Sequence, residues 1–208
     1  MRLDEALSEM PVVAILRGVR PDEVVAIAEA LYAEGIRGVE VPLNSPSPYD
    51  SIARLAFELG SRMACGAGTV LTAQHVSEVG KAGGTIIVSP NTDPEVITQA
   101  LSLGLDPAPG FATATEAFRA IAAGARHLKL FPAATYGPGH VKQLRAVLPP
   151  EITVWAVGGV GPSQMADWWS AGARAFGIGS DIYAPGRTAS EVATRAREIV
   201  AAARMLVG

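Results

Sequence analysis

The chain has 208 residues, 49% hydrophobic and 18% charged, with a formal net charge of −3. This suits one folded domain over residues 1–208 with a large core and argues against disorder. No lysine or arginine run exists to attract nucleic acid or an anionic membrane, and the lone cysteine, Cys65, excludes an internal disulfide and a cysteine zinc cluster.

Met1-Arg2-Leu3-Asp4-Glu5 lacks the apolar run of a secretory signal, and no stretch reaches the roughly 18 apolar residues of a membrane span. A cytoplasmic protein is therefore expected. Along the chain, short apolar strands are predicted at about 12–17, 38–43, 62–68, 85–90, 105–109, 127–131, 153–158 and 175–179, each followed by a helical segment. Helix starts are marked by Pro21-Asp22-Glu23, Thr72-Ala73-Gln74, Asp93-Pro94-Glu95, Thr113-Ala114-Thr115-Glu116 and Pro162-Ser163-Gln164. Helix ends run into glycine at Gly35, Gly83, Gly104, Gly124 and Gly172, directly before the next strand. Strict alternation of strand and helix implies an α/β fold with a parallel sheet, and eight such units imply a (β/α)8 TIM barrel in a single domain. A doubly wound open sheet fits less well, because Leu16-Arg17-Gly18-Val19-Arg20 lacks the spaced glycines of a dinucleotide fingerprint.

Chemistry in a barrel belongs at the C-terminal strand ends. On the second predicted strand, Val39 and Val41 alternate with Glu40, which sends the carboxylate to the barrel interior, where it is costly unless paired or functional. On the sixth, Leu128 and Leu130 face one way and His127, Lys129 and Phe131 the other. Lysine is scarce here, three residues against fourteen arginines. An apolar setting disfavours the ammonium form, and a neutral amine attacks carbonyls to give a Schiff base. Glu40 beside Lys129 offers a counter-ion and a proton carrier; a purely structural ion pair fits the same two residues. Glycine-rich stretches follow the last two strands, Val157-Gly158-Gly159-Val160-Gly161 and Gly177-Ile178-Gly179-Ser180. Those two loops are the frequent phosphate site of this fold, since glycine lets backbone N–H groups approach an anion. His75, His127 and His140 show no metal-ligand spacing. A lysine mechanism requires no metal and no cofactor.

These residues resemble the pyruvate-dependent class I aldolases of the 2-keto-3-deoxy-6-phosphogluconate (KDPG) and 6-phosphogalactonate (KDPGal) group. The resemblance runs in order through Ala14-Ile15-Leu16-Arg17-Gly18, Val39-Glu40-Val41-Pro42-Leu43-Asn44-Ser45-Pro46, Gly66-Ala67-Gly68-Thr69, Val88-Ser89-Pro90-Asn91, Leu128-Lys129-Leu130-Phe131-Pro132 and Val157-Gly158-Gly159. It implies Lys129 as the Schiff-base lysine and Glu40 as the group that moves protons through a water. It implies Thr69 and Pro90 at the pyruvate end, Phe131 beside the imine, and Gly158, Gly159, Gly179 and Ser180 around the phosphate. It also implies a homotrimer. Two positions depart from the gluconate-type pattern. Asn44 stands where some members carry an arginine for the substrate carboxylate, a role Arg17 could fill. Val157 stands where gluconate-type members carry threonine, so no hydroxyl meets the substrate's C4 hydroxyl there. The pattern implies a galactonate-type phosphorylated keto acid as substrate. A gluconate-type or dual-epimer aldolase, a phosphosugar isomerase or epimerase, and a non-catalytic phosphate-metabolite-binding barrel are the alternatives.

Overall fold

At the repeating helix–glycine–strand junctions the backbone turns through the left-handed region, with φ of +110° at Gly35 and +106° at Gly172, which a side chain would disfavour. The computed structural model describes residues 1–207. Its strands are β1 (Val12–Ile15), β2 (Gly38–Pro42), β3 (Ala64–Gly68), β4 (Ile86–Val88), β5 (Asp106–Ala108), β6 (Gly110–Phe111), β7 (His127–Leu130), β8 (Thr153–Val157) and β9 (Ala175–Ile178). The helices are α1 (Leu3–Glu9), α2 (Val24–Glu34), α3 (Pro48–Leu59), α4 (Ala73–Lys81), α5 (Pro94–Ser102), α6 (Ala114–Ala122), α7 (Ala133–Tyr136), α8 (Pro138–Arg145), α9 (Met165–Ser170) and α10 (Ala189–Val207), with a 3-10 turn at Pro162–Gln164. Side chains cap three helices at the marked starts. Thr72 accepts from the His75 amide and Asp93 from the Glu95 amide, and Thr113 and Glu116 cap one another.

The strands form one parallel sheet in the order β5-β4-β3-β2-β1-β9-β8-β7-β6. Its two ends, β5 and β6, are consecutive in the chain and separated only by Pro109, so the sheet is a nearly closed (β/α) barrel. The expected fifth strand, 105–109, is thus two segments, giving nine where eight were anticipated. Proline has no N–H to donate and interrupts the ladder. The Pro109 carbonyl still accepts from the Lys129 amide at 2.9 Å, which ties the break to β7.

Alternation along each strand divides the apolar residues in two. Val39, Val41, Cys65, Ala67, Leu128, Leu130, Val154 and Ala156 face the helices. Val13, Ile15, Ile86, Val88, Ala108, Trp155 and Val157 fill the barrel interior. Leu3 and Ala6 of α1 join that interior cluster from the N-terminal end. Helix α1 precedes the first strand, where no element was expected, and it closes the bottom of the barrel. Glu40 and Lys129 sit on the inward side of β2 and β7, as the alternation requires. No helix among the described residues is long and apolar enough to cross a membrane.

Candidate active site

Lys129 lies one residue from the C-terminal end of β7 and is 6% exposed, between the fully buried Leu128 and Leu130. Its Nζ sits 4.8 Å from the centre of the Phe131 ring. Burial lowers the lysine pKa; the Glu40 charge opposes this, and the Arg17 charge adds to it. The ammonium is therefore less favoured here than on a solvent-exposed lysine. Glu40 is 2% exposed. Burial pushes its pKa up to about 6, against the opposing charges of Lys129 and Arg17. Glu40 Oε2 is buried without a hydrogen-bond partner among the described residues. The expected counter-ion contact is absent: among the described residues, no ion pair within 4.0 Å joins Glu40 to Lys129. The two groups act on each other through space, each shifted by its own desolvation.

A cavity of about 610 Å³ opens above them at the C-terminal end of the barrel. Of the residues predicted from sequence, Arg17, Lys129, Phe131, Val157, Gly158, Gly159, Gly179 and Ser180 line it. Glu40, Thr69 and Pro90 do not. Glu40 is buried in the wall, Thr69 follows β3 with φ of +58°, and the Pro90 carbonyl packs against Gly110. Arg17 Nη1 donates to Asn44 Oδ1 at 2.8 Å, and the Gly18 amide donates to Ser45 Oγ at 2.9 Å. These bonds hold the end of β1 against the loop after β2. Asn44 thus positions a guanidinium carried by the neighbouring strand.

The glycine loops build the opposite wall. Gly158 and Gly159 have φ of +94° and +72°, and a Cβ on Gly159 would lie 2.6 Å from Ala134 Cβ. Gly159, Val160, Ser180 and Asp181 all line the cavity, and among the described residues their amides donate to no protein acceptor. Unpaired N–H groups on two glycine loops beside one cavity suit an anion. Behind them, Arg187 Nη1 donates to the Ser180 carbonyl at 2.7 Å. That bond polarises the peptide whose N–H belongs to Asp181. Sequence reasoning missed Arg187, and it missed Tyr183, which lines the cavity at 2% exposure and donates to Glu23 Oε1 at 3.0 Å. Tyr183 and Glu23 are 160 positions apart, so no local pattern links them. The chemistry available is an amine of lowered pKa, a buried carboxyl of raised pKa, one guanidinium and a pair of glycine loops with unpaired amides.

The family model for KDPG and KHG aldolase matches residues 3–195. The 2-dehydro-3-deoxy-6-phosphogalactonate aldolase of Escherichia coli (strain K12) is 44% identical over 200 residues, covering 96% of this chain and 98% of that protein. The probable 2-dehydro-3-deoxy-6-phosphogalactonate aldolase of Rhizobium meliloti (strain 1021) is 44% identical over 194 residues, covering 93% and 92%. A solved structure described as native KDPGal superposes with a TM-score of 0.94 at 44% identity, covering 96% of this chain and 97% of the other.

Proposed function

The chain belongs to the KDPG and KHG aldolase family, and from that premise we propose that it cleaves 2-dehydro-3-deoxy-6-phosphogalactonate to pyruvate and D-glyceraldehyde 3-phosphate through a Schiff base on Lys129. As an aldolase it is a lyase. The observation that carries the proposal is a buried amine of lowered pKa opening into the cavity, with an unpaired carboxylate behind it.

The neutral Lys129 amine attacks the C2 ketone, and loss of water leaves an iminium. This cation accepts the electron pair of the C3–C4 bond. Glu40, through a water, takes the proton of the C4 hydroxyl as that bond breaks to the aldehyde and the enamine of pyruvate. The proton then returns to C3, and hydrolysis of the pyruvate iminium frees the amine. Arg17, whose charge acts on both Lys129 and Glu40, receives the substrate carboxylate next to the imine. Thr69 and Pro90 border the pyruvate methyl, and Phe131 covers the imine. The phosphate sits on the Gly158-Gly159 and Gly179-Ser180 loops. Val157 leaves the C4 hydroxyl of the gluconate epimer without a partner, which favours the galactonate substrate. We further infer a single-domain homotrimer that works in the cytoplasm without a cofactor, read by sedimentation of the purified protein and by cell fractionation.

Borohydride reduction in the presence of pyruvate tests the proposal. One pyruvate-derived adduct per chain is expected, mapped to Lys129. An adduct on Lys81 or Lys142 would overturn the assignment. No adduct at all would point to an isomerase or a binding protein, in which no imine forms.

A further inference from the structure

We propose that Gly68 is a positioning residue for the reaction: its bare Cα forms the seat that holds the Glu40 carboxylate apart from the Lys129 amine. This rests on the reading that Lys129 forms the imine and Glu40 moves the proton.

Strand β3 reads Ala64-Cys65-Gly66-Ala67-Gly68, with Cys65 and Ala67 packed against the helices and the two later glycines on the inward side. Those two glycines are needed for different reasons. A Cβ on Gly66 would lie 2.1 Å from the Ile86 carbonyl oxygen and 2.6 Å from the Ile86 nitrogen. Nothing but glycine fits there without parting β3 from β4. A Cβ on Gly68 would meet Glu40 first: Oε2 at 1.4 Å, Cδ at 2.3 Å and Oε1 at 2.7 Å. Its three nearest neighbours are therefore the far end of one flexible side chain. Gly68 also lies outside the left-handed region, so its backbone tolerates alanine. The closest contacts a side chain at 68 would make are thus with the carboxylate, whereas at 66 they are with the strand backbone.

The seat matters because, among the described residues, no protein hydrogen bond fixes the inner oxygen of this carboxylate. Among the described residues no protein group hydrogen-bonds Glu40 Oε2, so on the protein side the shape of the wall limits where it can sit. That wall is itself held in place. The Gly68 carbonyl accepts from the Leu43 amide at 2.8 Å, and the Val70 amide is tied to the Val88 carbonyl at 3.1 Å. Between these anchors Thr69 is held at φ of +58°, a conformation that disfavours a β-branched residue. Lys129 and Arg17 are the cations that act on the Glu40 charge. A carboxylate driven off Gly68 toward the ammonium would raise the lysine pKa and lower its own. Both changes oppose a free nucleophile and a base working near neutrality.

The test compares wild type, Gly68→Ala, Glu40→Ala and the double variant. The readouts are thermal melting, the pH midpoint of pyruvate trapping by borohydride, and deuterium exchange at the pyruvate methyl. Gly68→Ala is expected to lose methyl exchange by about tenfold or more and to shift the trapping midpoint upward by about one pH unit. In the Glu40→Ala background the same substitution should shift nothing, because no carboxylate remains to be displaced. Wild-type values in Gly68→Ala, or a shift that persists without Glu40, would overturn the proposal. If Gly68→Ala alone does not fold, recovery of folding in the double variant supports it. Failure of both to fold would make Gly68 architectural, like Gly66, and refute it. Loss of the base assignment reads separately, as full methyl exchange in Glu40→Ala.

Discussion

His127 and Lys129 point into the same barrel from the same strand, two residues apart, and meet opposite surroundings. His127, toward the bottom, has its Nε2 3.0 Å from Asp4 on α1 and accepts at Nδ1 from the Trp155 indole at 3.3 Å. Burial lowers its pKa, opposed by the charges of Asp4 and Asp106, and the neutral ring has both nitrogens occupied. Lys129, toward the top, faces a cavity, and its opposite charge, Glu40, carries an oxygen with no partner. Buried polar groups are normally satisfied, so the lower end follows the rule of stable cores and the upper end departs from it. On the proposed mechanism, the difference separates a polar group kept for architecture from one kept for chemistry. Sharing a strand face and a degree of burial does not make two residues alike; the partners they are given decide what each does.

The contrast is broken most severely by removing the amine. Lys129→Arg should lose the trapped adduct and reduce cleavage on the order of 10⁴-fold or more, the scale on which loss of a covalent nucleophile acts, because a guanidinium stays protonated. Mass spectrometry of the reduced protein and steady-state assays check both. Substantial cleavage by this variant would place the nucleophile elsewhere.

Removing the charge of Glu40 is the next step down. Glu40→Gln should retain some pyruvate trapping while methyl proton exchange falls by about 10²-fold. The same variant has a stability signature. The native carboxyl titrates at about 6 against an ordinary value of 4.5, so the folded state binds the proton more tightly. Its stabilising contribution is complete below pH 4.5 and is lost as pH rises through 6. Glu40→Gln should therefore melt higher than wild type at pH 8, by up to about 2 kcal/mol of stability, and match it near pH 4. A lower melting point at pH 8 would mean that the carboxylate is held by favourable contacts after all.

Val157 tests the upper end more gently. An unpaired polar group in a site is worth roughly 1–3 kcal/mol, about tenfold to a hundredfold in discrimination. The wild-type enzyme should show higher kcat/KM on the galactonate substrate, and Val157→Thr should move the ratio toward the gluconate epimer. A wild-type preference for gluconate would refute the reading of Val157 and leave the lysine chemistry intact.

The smallest catalytic effect is expected at the bottom. His127→Phe orphans the Trp155 indole N–H and frees Asp4, which should cost about 1–3 kcal/mol of stability with cleavage unchanged wherever the protein is folded. The wild-type contribution is present above pH 6.5 and lost in acid, since the folded histidine titrates below its ordinary value. Melting curves of both proteins across that range check the sign. A large drop in kcat at low temperature would join the two ends of the barrel that the structure keeps apart.

Alternation on two short strands was enough to turn Glu40 and Lys129 inward, because a period of two admits no other assignment once the neighbouring valines and leucines are buried. Glycine after five of the helices and Thr, Asp or Pro at the marked starts signalled the repeat, since those residues satisfy backbone needs that are local. The family resemblance could be read for the same reason: its motifs are contiguous stretches at strand ends. The break at Pro109 was less legible, as Asp106-Pro107-Ala108-Pro109-Gly110 shows two prolines without showing which interrupts the ladder. Helix α1 was missed because its role, closing the barrel with Leu3 and Ala6, depends on strands far along the chain.

What the sequence determined by itself is therefore the set of local decisions: strand faces, helix ends, and the amine, carboxylate and glycine loops to which the proposed mechanism assigns the chemistry. The tertiary structure alone decided how those groups meet. It set Arg17 on Asn44, Tyr183 on Glu23 across 160 residues, and Glu40 against the bare face of Gly68 without an ion pair to Lys129. The physical reason is range. Alternation and capping act over two to four residues, whereas desolvation and steric exclusion in the barrel depend on which distant strands the register brings side by side.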